Sequence, residues 1–555
     1  MAVLKYDQDV IDTLGMEEGG WLGKEPDIPE QEISESYEAD IVIVGGGLAG
    51  VAAARRATEL GASVFLFEKC KTPQARSGDF SSMNSKVAAS WGRDNIDTGL
   101  VVATLMKDMC YRPSMPLLNN WAENAGPVFD WFLSALPDIH IAGSTAEPIP
   151  EDVKCWIQPR RFPTPHGYDF GSEYYPHFET TVWIRPSMHP VFEANFNIAK
   201  DSGKFDAIFN CPVKKLLRGE DGHVTGAIGQ TIEGKYVKAV AKTGVILSTG
   251  DYSSDDAMLY HYCPGTKGVP RLWTSYDAEK KPSNTGDGHR MGLWIGALMQ
   301  TALHAPMTHI MGGPMGNAPF LQLNTHGKRF MNEDVPGAQL HNQIEVQPDK
   351  YTWQIYDSNW KEQVIFNSSN HASGCYVYEQ EDMDSGKIYK GLDKFDCYCS
   401  DKQLEESIVD SGPIKDEQTF KADTLEELAT KMGTPVRETL ESIERYNYLA
   451  SIGRDKDFGK THKRLFPIKE GPFYATKFDL AWMLVCCGGL ESDADARCLD
   501  VDRNPIPGLY VAGNVQGNRF AIEYPTTVCG ISHSMALTFG YIAAETAVGD
   551  GAKSK

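Results

Sequence analysis

Apolar positions follow two rhythms along this chain. Ile41-Val42-Ile43-Val44 is an unbroken apolar run that ends in Gly45-Gly46-Gly47, and Ala52, Ala53, Ala54 and Leu60 follow at helical spacing. That pattern predicts a strand buried on both faces, a tight turn and a helix. Ser63-Val64-Phe65-Leu66-Phe67 repeats the strand pattern and ends at Glu68. Helical periodicity returns between 95 and 136, around Trp121, Val128, Trp131 and Phe132, and again from Val191 to Lys200. A β-rich stretch comes next. Phe209 to Leu216 reads as a bent strand, and Val224–Ile228 with Tyr236–Val240 reads as a hairpin marked by the turn signals Asp221-Gly222 and Glu233-Gly234. Gly244 to Thr249 reads as a further buried strand, followed after Gly286-Asp287-Gly288 by a helix from Arg290 to Ala297.

From about 300 to 475 the pattern changes to mixed polarity with many turns. Thr424 caps a helix there with Glu427 three residues on, and Pro435 opens a second helix through Leu440, Ile443 and Leu449. The final 80 residues return to the earlier style, with a strand over Leu509–Ala512 and a long apolar helix from Gly530 to Ala547. Sheet patterns at both ends of a chain imply one domain interrupted by another. The expected division is an N-terminal arm over 1–37, the first part of a dinucleotide-binding domain over 38–302, an inserted α+β domain over 303–475, and the second part of the first domain over 476–555. The expected class is α/β, a doubly wound Rossmann-like domain carrying an α+β insertion.

Gly45, Gly47 and Gly50 stand at the G-x-G-x-x-G spacing, with Leu48 and Ala49 opening the helix. The first glycine permits the turn, the second admits a pyrophosphate against backbone N–H groups, and the third lets the helix close on the strand. The helix N-terminus adds partial positive charge facing the phosphates. Glu68, beside Lys69, ends the next strand about 20 residues on, where an acid can accept from a ribose hydroxyl.

Composition narrows the partners. A net charge of −22 argues against nucleic acid and anionic membrane surfaces. No run approaches the ~20 apolar residues of a membrane span. The start, Met1-Ala2-Val3-Leu4-Lys5, lacks the features of an export signal, so a cytoplasmic protein is expected. Twelve cysteines include no C-x-x-C, and the close pairs, Cys397-x-Cys399 and Cys486-Cys487, have no second pair at metal-site spacing. Reduced thiols, no metal and an external electron donor or acceptor are expected. Between 140 and 190, Trp156, Tyr168, Phe170, Tyr174, Tyr175, Phe178 and Trp183 crowd among prolines and glycines, as either a ligand-pocket lining, core or a subunit contact. A homo-oligomer therefore stays open.

"DIVIVGGGLAGVAAA", "NCPVKKLL", "GVILSTGDY", "NTGDGHRMGLWIGA", "GKRFMNED", "GPFYATK" and "IPGLYVAGN", in this order, resemble the flavoprotein group of fumarate reductases, urocanate reductases and 3-ketosteroid dehydrogenases, across roughly residues 38 to 548. The resemblance implies FAD bound in the doubly wound domain and an inserted capping domain over the flavin ring. It assigns the pyrophosphate to Gly45, Gly47 and Gly50 and the adenosine ribose to Glu68. Further contacts fall on Ser77, Gly78 and Ser81, on the backbone of Val213, on Thr249 and Gly250, on Asp287, on Gly513 and Asn514, and on Gly530 and Ile531 at the last helix. Relatives with covalent flavin carry a His in the loop that here reads Arg76-Ser77-Gly78-Asp79, so non-covalent FAD is implied.

The departures bear on the substrate. The Arg that fumarate reductases place after the "FMNE" segment is absent from Phe330-Met331-Asn332-Glu333-Asp334-Val335-Pro336-Gly337-Ala338. Substrate-clamping His and Arg positions fall on Leu484-Val485-Cys486-Cys487 and on Tyr524-Pro525-Thr526-Thr527. A small dicarboxylate needs fixed cations to offset its desolvation. Their replacement favours a larger, mostly apolar carbonyl compound, such as a steroid or a flavonoid or other phenolic ring system. Tyr524 resembles the tyrosine of 3-ketosteroid dehydrogenases that holds the substrate carbonyl, and it is the first candidate for polarising that carbonyl or moving a proton. Arg519, Glu523, His533 and His304 are further candidates. The expected reaction is ene reduction or desaturation beside a carbonyl. Its alternatives are an isoflavonoid reductase cleaving a C–O bond, a flavoprotein subunit passing electrons within a larger complex, and an inactive FAD-binding protein.

Overall fold

The computed structural model describes residues 20–553 except 145–146, 161–165, 168, 170–177, 310–312, 336 and 367–400. Its first strand, Ile33–Val44, begins seven residues before Asp40. The early half, Ile33 to Glu38, is partly exposed, and the later half, from Ile41, is buried. Residues 33–37 therefore belong to this strand and not to an arm, because their backbone pairs in parallel with Tyr236–Ala239.

The main sheet runs in the order Arg497–Leu499, Pro505–Val511, Tyr236–Leu247, Ile33–Val44, Val64–Phe67 and Phe205–Ile208. Its central pairings are parallel. Both ends of the chain thus contribute to one sheet. The continuous apolar runs are explained by how their alternation is shared between two cores. Ile41, Ile43, Val64, Leu66 and Ile246 face one cluster, with the helices Leu48–Glu59 and Ile531–Lys553. Val42, Val44, Phe65, Phe67, Val245 and Leu247 face another, with the hairpin Val213–Arg218/Val224–Gln230 and the helix Asp287–Trp294. Where the pattern suggested two strands, Tyr236–Leu247 is a single one. Its lower half pairs with Val224–Gln230 and its upper half with Pro505–Val511. Gly244 is the joint: at φ +159 its Cα lies so close to the neighbouring strand that an added Cβ would sit 2.4 Å from Gly508 O.

A four-stranded sheet of Asp79–Ser81, Thr181–Arg185, Trp156–Pro159 and His140–Ile141 is attached to this domain. The insertion has its own antiparallel sheet, ordered Leu321–Asn324, Thr352–Tyr356, Phe473–Phe478 and Thr419–Ala422, backed by the helices Leu425–Met432 and Val436–Ser451. The Thr424 hydroxyl accepts from Glu427 N, the N-cap expected from its position. A two-stranded ribbon, Ala305–His309 with Trp482–Cys487, joins the two parts and carries the chain in and out of the insertion.

The "GKRFMNED" segment is fixed inside the insertion by buried charge. Arg329 pairs with Glu333 and Asp455, each at 2.8 Å, and Lys460 pairs with Glu333 at 3.1 Å. Burial pushes the Asp455 carboxyl up, but Arg329 and the N–H groups of Lys460 and Phe458 bring it down to about 2. No helix among the described residues is long and apolar enough to cross a membrane. The described cysteines are all free thiols, and no described group of three His, Cys, Asp or Glu could hold a metal ion.

Candidate active site

A cavity of about 770 Å³ opens beside the glycine turn, within the roughly 300–1,000 Å³ range of ligand pockets. Gly45, Gly47, Leu48 and Ala49 line it, whereas Gly50 does not. The glycines divide the work. An added Cβ would meet Ser248 O at 2.5 Å from Gly45 and Gly45 O at 1.9 Å from Gly50, so both are required for packing. At Gly47 the nearest atom is 3.9 Å away, so the missing side chain leaves open cavity at the helix N-terminus. This is the space that a pyrophosphate requires.

Glu68 lines the same cavity and is buried. Its carboxylate oxygens accept from Gly46 N at 2.5 Å and Cys70 N at 2.7 Å, which fixes the group and leaves lone pairs for a ribose. Lys69 and Asp287 form an ion pair of 2.8 Å across the wall. Burial alone would raise the Asp287 carboxyl, but Lys69 and Thr285 lower it overall, so it stays an acceptor. Thr249 Oγ1 is buried without a partner, an orphaned donor at the cavity wall. These features suit a dinucleotide with hydroxyls and a pyrophosphate, and Val213, Gly250 and Gly513 complete that lining.

Ser77 sits at φ +57. Gly78 cannot carry a side chain, because a Cβ would fall 1.9 Å from Ile184 O. Both line the cavity, but Ser81 lies behind it, its N–H donating to Gly530 O at 3.3 Å. Gly530 lines the cavity at the start of the last helix, and Ile531 is buried beneath.

Tyr524 and His533 also line the cavity. The Tyr524 hydroxyl accepts from Ser532 N at 3.1 Å, in the first turn of the last helix. Burial raises this phenol well above its ordinary value, so it stays protonated. Its one backbone contact consumes a lone pair, and the O–H remains available to donate into the cavity. His533 Nδ1 donates to Asp79 O at 2.9 Å, because a carbonyl only accepts. Burial lowers the imidazole, so the ring is neutral and Nε2 is an acceptor.

The other three candidates lie elsewhere. His304 does not line the cavity. It stacks on Tyr262 at 4.2 Å and takes the Tyr252 hydroxyl on Nδ1, and burial pushes it down to about 3. Its apolar surroundings make it a neutral core histidine. Glu523 faces Asn342 and Glu345 of the insertion, and burial, with Glu345 adding to it, raises its carboxyl to about 7. Arg519 is fully buried behind the wall, its Nη2 donating to the cavity-lining Asn514 Oδ1 at 3.1 Å.

Sequence reasoning placed Leu484 and Val485 at substituted clamp positions but missed Met307, Arg160 and Arg185 in the lining. Met307, Leu484 and Val485 bring apolar side chains from the ribbon, and Arg76, Arg160 and Arg185 bring charge. The expectation of a wall stripped of cations therefore holds only for the ribbon and the Tyr524 segment. Arg160 is matched by Asp79 at 2.7 Å, and Arg160 and Arg185 lie 4.8 and 4.0 Å from the Trp183 ring. Arg76 donates to Ser275 Oγ at 2.8 Å, and burial lowers it against the opposing pull of Asp251. The aromatic stretch was the available signal: Trp183 lines the cavity, Phe178 packs on the core, and Trp156 Nε1 bonds Gln158. Tyr168, Phe170, Tyr174 and Tyr175 lie outside the described residues.

The family model described as "FAD binding domain" matches residues 40–526. Vinyl phenol reductase of Lactiplantibacillus plantarum is 25% identical over 92% of this chain and 97% of that protein. The 3-oxosteroid 1-dehydrogenase of Mycolicibacterium smegmatis is 30% identical over 59% of this chain and 56% of that protein. Among solved structures, the 3-ketosteroid-Δ4-(5α)-dehydrogenase of Rhodococcus jostii RHA1 superposes with a TM-score of 0.66 at 20% identity, covering 93% of this chain and 98% of that one. That likeness establishes the shared fold.

Proposed function

The chain belongs to the FAD binding domain family and is an FAD-dependent oxidoreductase, and on that premise we propose that it reduces or forms a carbon–carbon double bond conjugated to an oxygen-bearing, mostly apolar ring substrate. Bound FAD supplies hydride transfer at N5. Tyr524 holds the substrate oxygen and donates its proton or a hydrogen bond as charge develops there. The observation that carries this reading is the Tyr524 hydroxyl, held by Ser532 N–H at 3.1 Å with its own proton uncommitted at the cavity wall. Met307, Leu484 and Val485 shelter the ring and exclude water. Vinyl phenols and 3-oxosteroids, the compounds named for two relatives, both join an apolar ring to a terminal oxygen. FAD is held without a covalent bond, since the Arg76–Asp79 loop has no histidine, and electrons pass to or from an external partner. The insertion over 303–475 caps the ring.

The test is anaerobic reduction of the purified holoenzyme, followed by mixing with a 3-oxosteroid enone, 4-vinylphenol, a cinnamate or fumarate. Reoxidation by the enone or the vinylphenol at least tenfold faster than by fumarate is expected. Rapid reoxidation by fumarate alone overturns the reading.

A further inference from the structure

Six Lys and Arg residues, side chain and backbone together, are 7% exposed or less among the described residues: Arg55, Arg93, Arg160, Lys460, Arg464 and Arg519. Five of them face a carboxylate, from Glu59, Glu179, Asp79, Glu333 and Asp334 respectively. Arg519 faces none. Its Nε donates to Gln516 O at 3.1 Å and its Nη2 to Asn514 Oδ1 at 3.1 Å, while Nη1 is buried with no partner at all. The ionisable groups that act on its charge are Cys487 and Tyr524. Burial pushes the Cys487 thiol up to about 12 and the phenol well above its usual value, so both are neutral and neither offsets the charge. The guanidinium itself, lowered by burial to about 10, remains a cation at neutral pH.

An unpaired buried charge is among the most expensive features a fold can carry. The Phe520 ring, 5.2 Å from the guanidinium carbon, offsets it in part, which leaves a bound group to supply the rest. Two of its neighbours, Asn514 and Tyr524, line the cavity, so Arg519 lies one side chain behind that wall. The bond from the guanidinium to Oδ1 fixes the Asn514 amide, leaving both Nδ2 hydrogens and one Oδ1 lone pair to offer.

The geometry points to Arg519 as a positioning residue that sets the redox balance of the bound FAD, its counter-charge being the negative charge that enters the cavity on reduction. When FAD takes up two electrons from an external reductant such as dithionite and one proton from solvent, one net negative charge remains. A fixed cation in a water-poor wall favours that form. The same contact holds Asn514 as a hydrogen-bond donor. This inference rests on FAD binding and not on the identity of the substrate.

The experiment is a spectroelectrochemical titration of the purified holoenzyme without substrate, comparing wild type with Arg519→Met, Arg519→Lys and Asn514→Asp. Arg519→Met is expected to shift the reduced-to-oxidised ratio at fixed potential at least tenfold toward oxidised, which is ~30 mV for a two-electron couple. Arg519→Lys should stay within threefold of wild type. Asn514→Asp sets a carboxylate against the same Nη2 and should shift the balance in the Met direction while raising the melting temperature of the apoprotein. That variant decides the matter if Arg519→Met does not fold. Wild-type potentials in both Arg519→Met and Asn514→Asp overturn the inference, even if both variants melt earlier. Because no substrate is present, failure of the substrate reading leaves this result untouched.

Discussion

Replacing Tyr524 with phenylalanine removes one oxygen from a residue that is 3% exposed, so the ring stays packed against Phe520 at 5.3 Å. Two separable losses follow. The substrate oxygen loses its donor in a water-excluded site, which is worth about 10²–10³ in rate. Ser532 N–H loses its acceptor in the first turn of the last helix, which costs about 1–3 kcal/mol of stability. FAD should still bind, because Gly47, Glu68 and Asp287 are untouched. The assay is anaerobic single turnover of the reduced variant with the best acceptor, alongside a thermal melt and flavin absorbance. A fall of two to three orders of magnitude in the rate at saturating acceptor, with normal FAD content, is expected. Since burial keeps the phenol protonated well beyond neutral pH, no inflection from Tyr524 should appear in the wild-type rate between pH 6 and about 9. A full rate combined with the expected loss of stability would refute the reasoning and leave Tyr524 as a strut for the helix.

Three other outcomes are expected. Gly47→Val brings its Cβ no nearer than 3.9 Å to a protein atom, Gln74 O, but fills the cavity, so it should yield folded protein with FAD affinity lowered at least 100-fold, measured by flavin content and reconstitution. Glu523 is raised from 4.5 to about 7, so the folded state holds this proton more tightly than the unfolded chain. Its stabilisation is complete below pH 4.5 and is lost as pH rises to 7, a change of about 3 kcal/mol. Glu523→Gln should therefore raise the melting temperature at pH 8 and change it little at pH 4.5. Asp455→Asn leaves Arg329 with Glu333 alone and should cost about 3–5 kcal/mol in denaturant unfolding, without altering the FAD spectrum.

What the sequence revealed was local. The glycine turn, Glu68 and the paired apolar strands depend on neighbours within about 30 residues, and their chemistry is written in spacing. Even the split of Ile41 and Ile43 from Val42 and Val44 follows from strand alternation once both faces are known to be covered. The cavity wall is different. Arg160 and Trp183 reach Ser77–Asp79 because Asp79–Ser81 pairs with Thr181–Arg185, a register joining residues about 100 apart that no periodicity announces. Arg185 arrives the same way, and Arg76, just before that strand, is held by Ser275 about 200 residues on, which is why the cavity holds more charge than the substituted clamp positions implied. His304 shows the converse. Its position at the start of the insertion suggested the site, but Tyr252, Tyr262 and Cys263 close around it and leave it neutral in the core.

The central claim is that one phenol, backed by a helix amide, grips the substrate oxygen over the flavin. A crystal structure of the holoenzyme with a bound enone or vinylphenol tests it most directly. The account predicts the ligand oxygen about 2.6–3.0 Å from Tyr524 Oη, with the ring against Met307, Leu484 and Val485. A ligand held instead through Arg76, Arg160 or Arg185, with its oxygen remote from Tyr524, would contradict it.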